Sequence, residues 1–349
     1  VPATPEGVDL ERLRAYFAGN VDGASDRPLT AELISGGRSN LTYAISDGEH
    51  EWVLRRPPLG HVLETAHDMR REFRVLSGLA GTDVPVPHVD ALCEDVDVNG
   101  APFYVMERVH GRILRNLAML AELSPDDAQR ISYEIVDVLA RLHAVDYAAV
   151  GLGDFGRPDG FLERNVRRWG KQWESNKTRE LPVVDELGRR LAAALPAHQD
   201  QSIVHGDYRI DNTMVASDDA GRIVAVLDWE MSTLGDPLTD VGLLAVYWGD
   251  RDARAVLGSQ GVSNLAGFPS REEVTDRYAR QSGRDLSELD FYLVYAGYKL
   301  AIIVEGINAR FLMGKTLGDG FEDMGAAVVA LAETALDVAD RSSIKALHG

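Results

Sequence analysis

A two-lobed α+β fold, with a small β-rich N-terminal lobe and a larger, mainly α-helical C-terminal lobe, is the architecture this sequence predicts. Three observations carry it. Residues from about 29 to 109 read as short strands with a single helix, and residues from about 113 onward read mainly as helices. A strand hairpin flanked by Asp207, Asn212 and Asp228 interrupts the helical part. With 349 residues the chain can fill two cores, and the expected division is 1–109 (an N-terminal extension and the small lobe) and 110–349.

In chain order, residues 9–18 form a short amphipathic helix with Leu10, Leu13, Tyr16 and Phe17 on one side. Residues 33–45 read as strand, Gly36-Gly37 turn, strand. Glycine lets backbone come close to a phosphate, and Ser39, Asn40 and free N–H groups of the turn are candidate donors to it. The alternative is an ordinary hairpin. The next strand, Trp52-Val53-Leu54-Arg55-Arg56, ends in two arginines before Pro57. A helix over about 64–79 follows, with Met69, Phe73, Leu76 and Leu79 at core spacing. Glu72 faces the same way as Leu76, where it can pair with Arg55. Otherwise it is a solvated residue among Arg70, Arg71 and Arg74.

Val84-Pro85-Val86-Pro87 breaks structure before strands at 89–93 and 103–108. The second runs into Val109-His110-Gly111, a connection between lobes. In the larger lobe, Ser124-Pro125-Asp126-Asp127 is a helix start with a Ser cap, Pro in the first turn and acidic residues beside the positive helix end. That helix carries Ile131, Ile135, Val138, Leu139 and Leu142 to His143, which reads as a satisfied structural histidine. Residues 164–173 form a further helix with Trp169 and Trp173. Gly235 to Gly242 opens another, with Asp236 as its cap and Asp240 placed to accept backbone N–H groups. Apolar, aromatic helices follow at 291–295 and 298–305.

The most informative run is Ile203-Val204-His205-Gly206-Asp207-Tyr208-Arg209-Ile210-Asp211-Asn212, with Asp228 sixteen residues beyond Asn212. One carboxylate and, five residues on, one carboxamide leave an apolar strand, and a second carboxylate returns. Such a set suits activation of a hydroxyl beside a magnesium-bound nucleoside triphosphate. Residues 213–217 and 222–227 read as strands around Asp218-Asp219-Ala220-Gly221. If Ser217 faces Arg222, Asn212 falls opposite Leu227 and Asp228 arrives beside it.

Composition sets outer bounds. Apolar residues make up 45% and charged residues 26%, as in ordinary globular proteins. There is no run of eighteen apolar residues, so no membrane span is expected. Val1-Pro2-Ala3-Thr4-Pro5 does not read as a leader, and the expected location is cytoplasmic. The single cysteine, Cys93, excludes an internal disulfide and a cysteine-rich metal site. A formal charge of −19 argues against nucleic-acid binding. Oligomeric state is not legible.

The run His205-Gly206-Asp207 with Asn212 and Asp228 resembles the H-R-D-x-x-x-x-N and D-F-G segments of protein kinases, with Gly206 in place of Arg. Together with Val53-Leu54-Arg55-Arg56-Pro57, Arg71-Glu72-Phe73 and Val226-Leu227-Asp228-Trp229-Glu230, it resembles the aminoglycoside phosphotransferase and choline kinase family over roughly residues 28–310. Within that family it is most similar to the kinase domain at the N-terminus of certain acyl-CoA dehydrogenase family members.

The resemblance implies a bilobal protein-kinase-like fold, ATP and Mg2+ as cofactors, and, for that branch, phosphorylation of a 4-hydroxyacyl-CoA. The remaining chain is too short to hold a flavin dehydrogenase domain. Carried over, Asp207 is the base that orients the acceptor, and Asn212 and Asp228 are the metal ligands. Arg55, standing where protein kinases keep Lys, and Glu72 form the phosphate clamp, while backbone groups of Glu107 and Val109 meet the adenine. Glu230 departs from the glycine of the protein-kinase motif, so its role stays open between a second metal and the substrate.

The leading expectation is thus a phosphotransferase acting on a small-molecule hydroxyl acceptor. An aminoglycoside 3'-type phosphotransferase and a non-catalytic nucleotide-binding protein are the alternatives. Peptide kinase activity is not expected, because no Ala-Pro-Glu follows Asp228 as an activation-loop end. Arg164, Arg167, Arg168 and Lys171 beside Trp169 read either as a wall of the acceptor groove or as a solvated helix face.

Overall fold

In the computed structural model, residues 5–36, 40–59, 68–249, 261–314 and 321–349 are described. The N-terminal half holds α1 (Leu10–Asn20), β1 (Thr30–Gly36), β2 (Leu41–Ser46), β3 (Glu51–Arg56), α2 (Met69–Leu79), β4 (Val89–Cys93), α3 (Val96–Asn99) and β5 (Phe103–Glu107). Its strands form one antiparallel sheet in the order β1-β2-β3-β5-β4.

Side-chain alternation along these strands gives the sheet two apolar faces. Trp52, Leu54, Phe103 and Val105 share a core with Leu13 and Phe17 of α1. Their neighbours Val53, Tyr104 and Met106 face the other way, onto Val75, Leu76 and Leu79 of α2. Each fully buried Leu or Phe in these layers contributes roughly 1.5–3 kcal/mol. Asp9 caps α1 by accepting from Arg12 N at 3.1 Å, and Asp68 does the same for α2 from Arg71 N at 3.0 Å. The expectation of one helix between the strands misses α3, a single turn capped by Asp95 and ended by left-handed Gly100.

The helical half contains α4 (Leu117–Ala121), α5 (Pro125–Ala144), α6 (Phe161–Asn176), α7 (Pro182–Ala193), α8 (Leu238–Trp248), α9 (Arg271–Ser282), α10 (Leu289–Leu312) and α11 (Met324–Arg341). Helix α10 is apolar around most of its circumference, and it sits at the centre, against α6, α7, α8 and α11. Among the described residues no helix is long and apolar enough to cross a membrane.

Four short strands form two small sheets inside this half. β6 (Ser202–Val204) pairs with β9 (Thr233–Gly235), and β7 (Thr213–Val215) pairs with β8 (Ile223–Val226). The second pair is the expected hairpin with shorter strands. A bulge after Met214 sets Ala216, not Ser217, against Arg222. Nearer the site the expected register holds: Thr213 faces Val226, and Leu227 N donates to Asn212 O at 2.8 Å. The chain leaving β5 is tied to the same hairpin through two bonds of 2.8 Å between Arg112 and Val215. Gly111 permits this approach, since a Cβ there would stand 2.5 Å from Val215 O.

Candidate active site

Asp207 leaves β6 through Gly206, whose φ of +84° and proximity to Met231 exclude a side chain. Buried Asp240, on α8, holds this turn by accepting from His205 N at 2.6 Å and Gly206 N at 2.8 Å. It also takes a bond of 3.3 Å from His143 Nε2, while His143 Nδ1 meets Tyr278 OH at 2.7 Å. Burial pushes the Asp240 carboxyl up, but His143 and the backbone donors outweigh it and hold it below the usual range. Burial likewise lowers His143, which stays neutral in its structural place. Asp236, expected as a cap, accepts from Leu238 N at 3.0 Å and from Tyr292 OH at 2.7 Å.

His205 carries no expected role, yet it is fully buried and joins the loop to the second carboxylate's strand. Its Nδ1 accepts from Asp207 N at 3.2 Å, so its Nε2–H donates to Leu227 O at 2.9 Å. Asp207 Oδ2 accepts from Asn212 Nδ2 at 2.9 Å and lies 3.3 Å from Arg209 Nε. Asn212 Nδ2 also donates to Asp207 O at 2.8 Å. With its nitrogen so engaged, the Asn212 amide presents its oxygen to any cation.

Arg209 bridges Asp207 and Asp211 (2.8 Å to Asp211 Oδ2) and stacks over Tyr247. It lies inside the motif itself, between the expected base and the expected metal ligand.

Asp228 follows β8 with φ 67° and ψ 61°, a left-handed conformation found at no other non-glycine among the described residues. Such a strained backbone is retained where the surroundings over-determine it. Here Leu227 is bonded on both sides, to Asn212 and His205, and the Asp228 carboxylate is turned toward the sheet. It meets Arg55 there, with 2.6 Å from Nη2 to Oδ1.

Arg55 Nε lies 2.9 Å from Glu72 Oε2, so the expected pair is present in the structure. Glu72 is buried, and it also accepts from Asn40 Nδ2 at 2.8 Å and Tyr104 OH at 3.1 Å. Asn40 thus reaches the clamp, with a second, 3.3 Å contact to Glu230. Burial raises the Glu72 carboxyl to about 7 despite Arg55, with Asp228 and Glu230 adding to the rise. Burial opposes the Arg55 charge too, but Glu72, Tyr104 and Asp228 hold it above the ordinary arginine range. Ser39 lies outside the described residues.

These residues line two cavities. A cleft of about 420 Å³ is bounded by Val53 and Arg55 of the sheet, by Glu107 and Val109 after β5, and by Asn212 and Asp228. This brings together the expected hinge, clamp and metal-ligand positions. Asn212 Oδ1 and the Asp228 carboxylate are hard oxygen donors of the kind that hold Mg2+ with the help of substrate phosphates. Beyond the loop lies a second cavity of about 450 Å³, reached by Gly206, Glu230 and Lys299 and walled by Arg157, Arg164, Arg168 and Trp169. Lys299, on α10, is buried, and its Nζ donates to Gly206 O. Burial holds it below the ordinary lysine range, against the pull of Asp207 and Asp240. Nothing in its apolar helical context marked it as part of the site.

A kinase-like two-lobed phosphotransferase is the class that this fold and site define. The chain belongs to the phosphotransferase enzyme family, whose sequence profile matches residues 30–291. Membership makes it a nucleotide-binding small-molecule phosphotransferase. It is 34% identical to acyl-CoA dehydrogenase family member 11 of Gallus gallus, over 97% of this chain and 44% of that protein. Acyl-CoA dehydrogenase family member 10 of Mus musculus is 33% identical, over 97% of this chain and 32% of that one. The chain therefore spans less than half the length of these curated relatives.

A crystal structure of a protein from Ralstonia eutropha JMP134 superposes with a TM-score of 0.84 at 35% identity, covering 96% of this chain and 99% of that one. An aminoglycoside phosphotransferase in complex with GDP and kanamycin shares the fold, with a TM-score of 0.62 at 14% identity, over 94% of this chain and 98% of that one.

Proposed function

We propose that this protein transfers the γ-phosphate of ATP, with Mg2+, to a hydroxyl of a small metabolite, a hydroxyacyl-CoA being the acceptor of choice. One observation carries the reading: Asp207 is bonded to Asn212, which lines the first cavity together with Asp228, and it follows Gly206, which lines the second. Nucleotide in the 420 Å³ cleft would place its phosphates against Arg55, Asn212 and Asp228, which line it. Bound Mg2+, held by Asn212 and Asp228, supplies charge neutralisation on those phosphates.

Asp207, fixed by Asn212 and Arg209, orients the acceptor hydroxyl from the 450 Å³ cavity and takes its proton. The hydroxyl oxygen bonds to the γ-phosphorus as the bond to the β-phosphate oxygen breaks, releasing ADP and the phosphate ester. Arg55, gripped by Glu72, holds the departing side. Support for the acceptor comes from the curated relatives, whose names pair an acyl-CoA activity with a region similar to this chain. The cationic wall of the second cavity also disfavours a polycationic antibiotic.

The test is a γ-phosphate transfer screen over hydroxyacyl-CoAs and aminoglycosides. Asp207→Ala should lower transfer about 10²–10⁴-fold while ATP binding persists. Asp228→Ala should abolish the magnesium dependence of ATP binding by calorimetry. Full activity in Asp207→Ala removes the proposed base. Turnover of aminoglycosides alone selects the antibiotic reading, and ATP binding with no acceptor turned over selects a non-catalytic binder.

A further inference from the structure

Arg164, Arg167, Arg168 and Lys171 follow one another at i, i+3, i+4 and i+7 on α6, so all four charges share one helix face. Like charges at this spacing repel and destabilise a helix. Elsewhere in this acidic chain such cost is commonly offset by a carboxylate, as for Arg189 and Arg190 with Glu186. Here only Arg167 has one, Glu163 at 3.6 Å. Arg164 donates to the backbone oxygens of Asp159 and Arg157, which are neutral, and Arg168 lies over the Trp169 ring. Among the described residues, Arg157, Arg168 and Lys171 have no carboxylate in ion-pair range.

The four cations and Asn165 line a recess of about 360 Å³. Arg164, Asn165 and Arg168 also line the 450 Å³ cavity beside Gly206 and Glu230. The recess therefore adjoins the cavity proposed for the acceptor. Among the described residues that line that cavity the carboxylates are Glu230 and Asp240, and Asp240 has its donors supplied from the protein.

We propose that this face of α6 is a phosphate-binding subsite, which holds a phosphate group that the acceptor carries at a distance from its reacting hydroxyl. Guanidinium forks on Arg164 and Arg168 suit phosphate oxygens, and Lys171 adds a mobile point charge at the outer edge. The cavity takes the hydroxyl-bearing part, and the charged part crosses the rim onto α6. This deepens the proposed phosphotransfer reading and rests on it for the identity of the cavity.

The experiment uses the full chain saturated with Mg2+ and a non-hydrolysable ATP analogue, so that the nucleotide cleft is closed to the probes. Coenzyme A, glucose 6-phosphate and phosphate-free pantetheine are titrated by calorimetry into wild type and an Arg168→Glu, Lys171→Glu double variant. Thermal melting of both proteins verifies folding, and a milder Arg168→Gln variant gives a second reading of the same charge. Binding of coenzyme A or glucose 6-phosphate should weaken roughly 10- to 100-fold on charge reversal, and that of pantetheine should not change. The wild-type affinity should also fall with added NaCl, as for exposed charges.

Which of the two phosphate-bearing probes binds tells a nucleotide-type carrier from a sugar phosphate. If neither binds wild type, or if each that binds does so equally in wild type and the double variant, the subsite is overturned. A protein that binds coenzyme A through these charges but transfers phosphate to no hydroxyl keeps the subsite and loses the kinase reading. Transfer that is indifferent to these charges does the reverse.

Discussion

Arg55 Nη2 stands 2.6 Å from Asp228 Oδ1, so one guanidinium joins β3 of the small lobe to the carboxylate that follows the β7–β8 hairpin. Its Nε is at the same time 2.9 Å from Glu72. A planar fork can serve two carboxylates in two directions, and an ammonium on a flexible stem cannot hold the same geometry. Arg55→Lys is expected to lower kcat/KM for ATP by roughly tenfold or more, through loss of a charge-assisted contact. A double-mutant cycle with Glu72→Gln should be strongly non-additive. Additive effects would separate the two residues.

Glu72 gives the apo protein a pH signature. Its folded carboxyl titrates near 7, raised by burial from an ordinary 4.5. Between those values the folded state holds a proton that the unfolded chain releases. The stability contributed is complete below about 4.5 and is lost as pH rises through about 7. Urea unfolding of the nucleotide-free protein across this window should show that decline, and Glu72→Gln should flatten it. An unchanged slope in the variant would assign the pH dependence elsewhere.

Asp240 touches no reacting atom, but its loss strands two buried N–H groups of the catalytic turn. Each unpaired donor costs about 1–3 kcal/mol. Asp240→Ala should therefore unfold at lower denaturant concentration, and kcat should fall more than the affinity for ATP. A variant as stable as wild type would show that water or a shifted backbone replaces the carboxylate.

Lys299 donates to the Gly206 carbonyl while Asp240 accepts from the Gly206 N–H, so the residue before Asp207 is held at both its backbone polar groups. Lys299→Met should reduce kcat while calorimetry finds ATP binding unchanged, and Lys299→Arg should recover part of the loss. Equal activity in all three proteins would reduce Lys299 to packing.

Much of the site is readable from spacing alone because it is local in sequence. The register that sets Asn212 against Leu227 follows from turn residues and alternation, and the bulge after Met214 leaves it intact. The Asp240 brace was likewise visible as an acid in the first turn of a helix near the loop. The role of Lys299 is not legible, since the Gly206 carbonyl is reached only when α10 packs against the loop. His205 acts through backbone atoms, one of them at distant Leu227. Arg209 meets Asp207 and Asp211 two residues away, but no motif spacing marks it. Helix α3 was missed for a different reason. A single turn carries too few residues for a period to appear.

Leaving Glu72 open between Arg55 and solvent, the sequence by itself determined the strand-rich and helix-rich halves and the hairpin that returns Asp228 to Asn212. These depend on side-chain periodicity, turn chemistry and residues that recur one helical turn apart. Only the tertiary structure decided that Asp228 adopts a left-handed backbone to face Arg55, and that a lysine in the apolar helix α10 reaches the Gly206 carbonyl. It alone also set the cationic face of α6 beside the second cavity. Those relationships span elements far apart in the chain, and packing geometry, with no local pattern to announce it, brings them together.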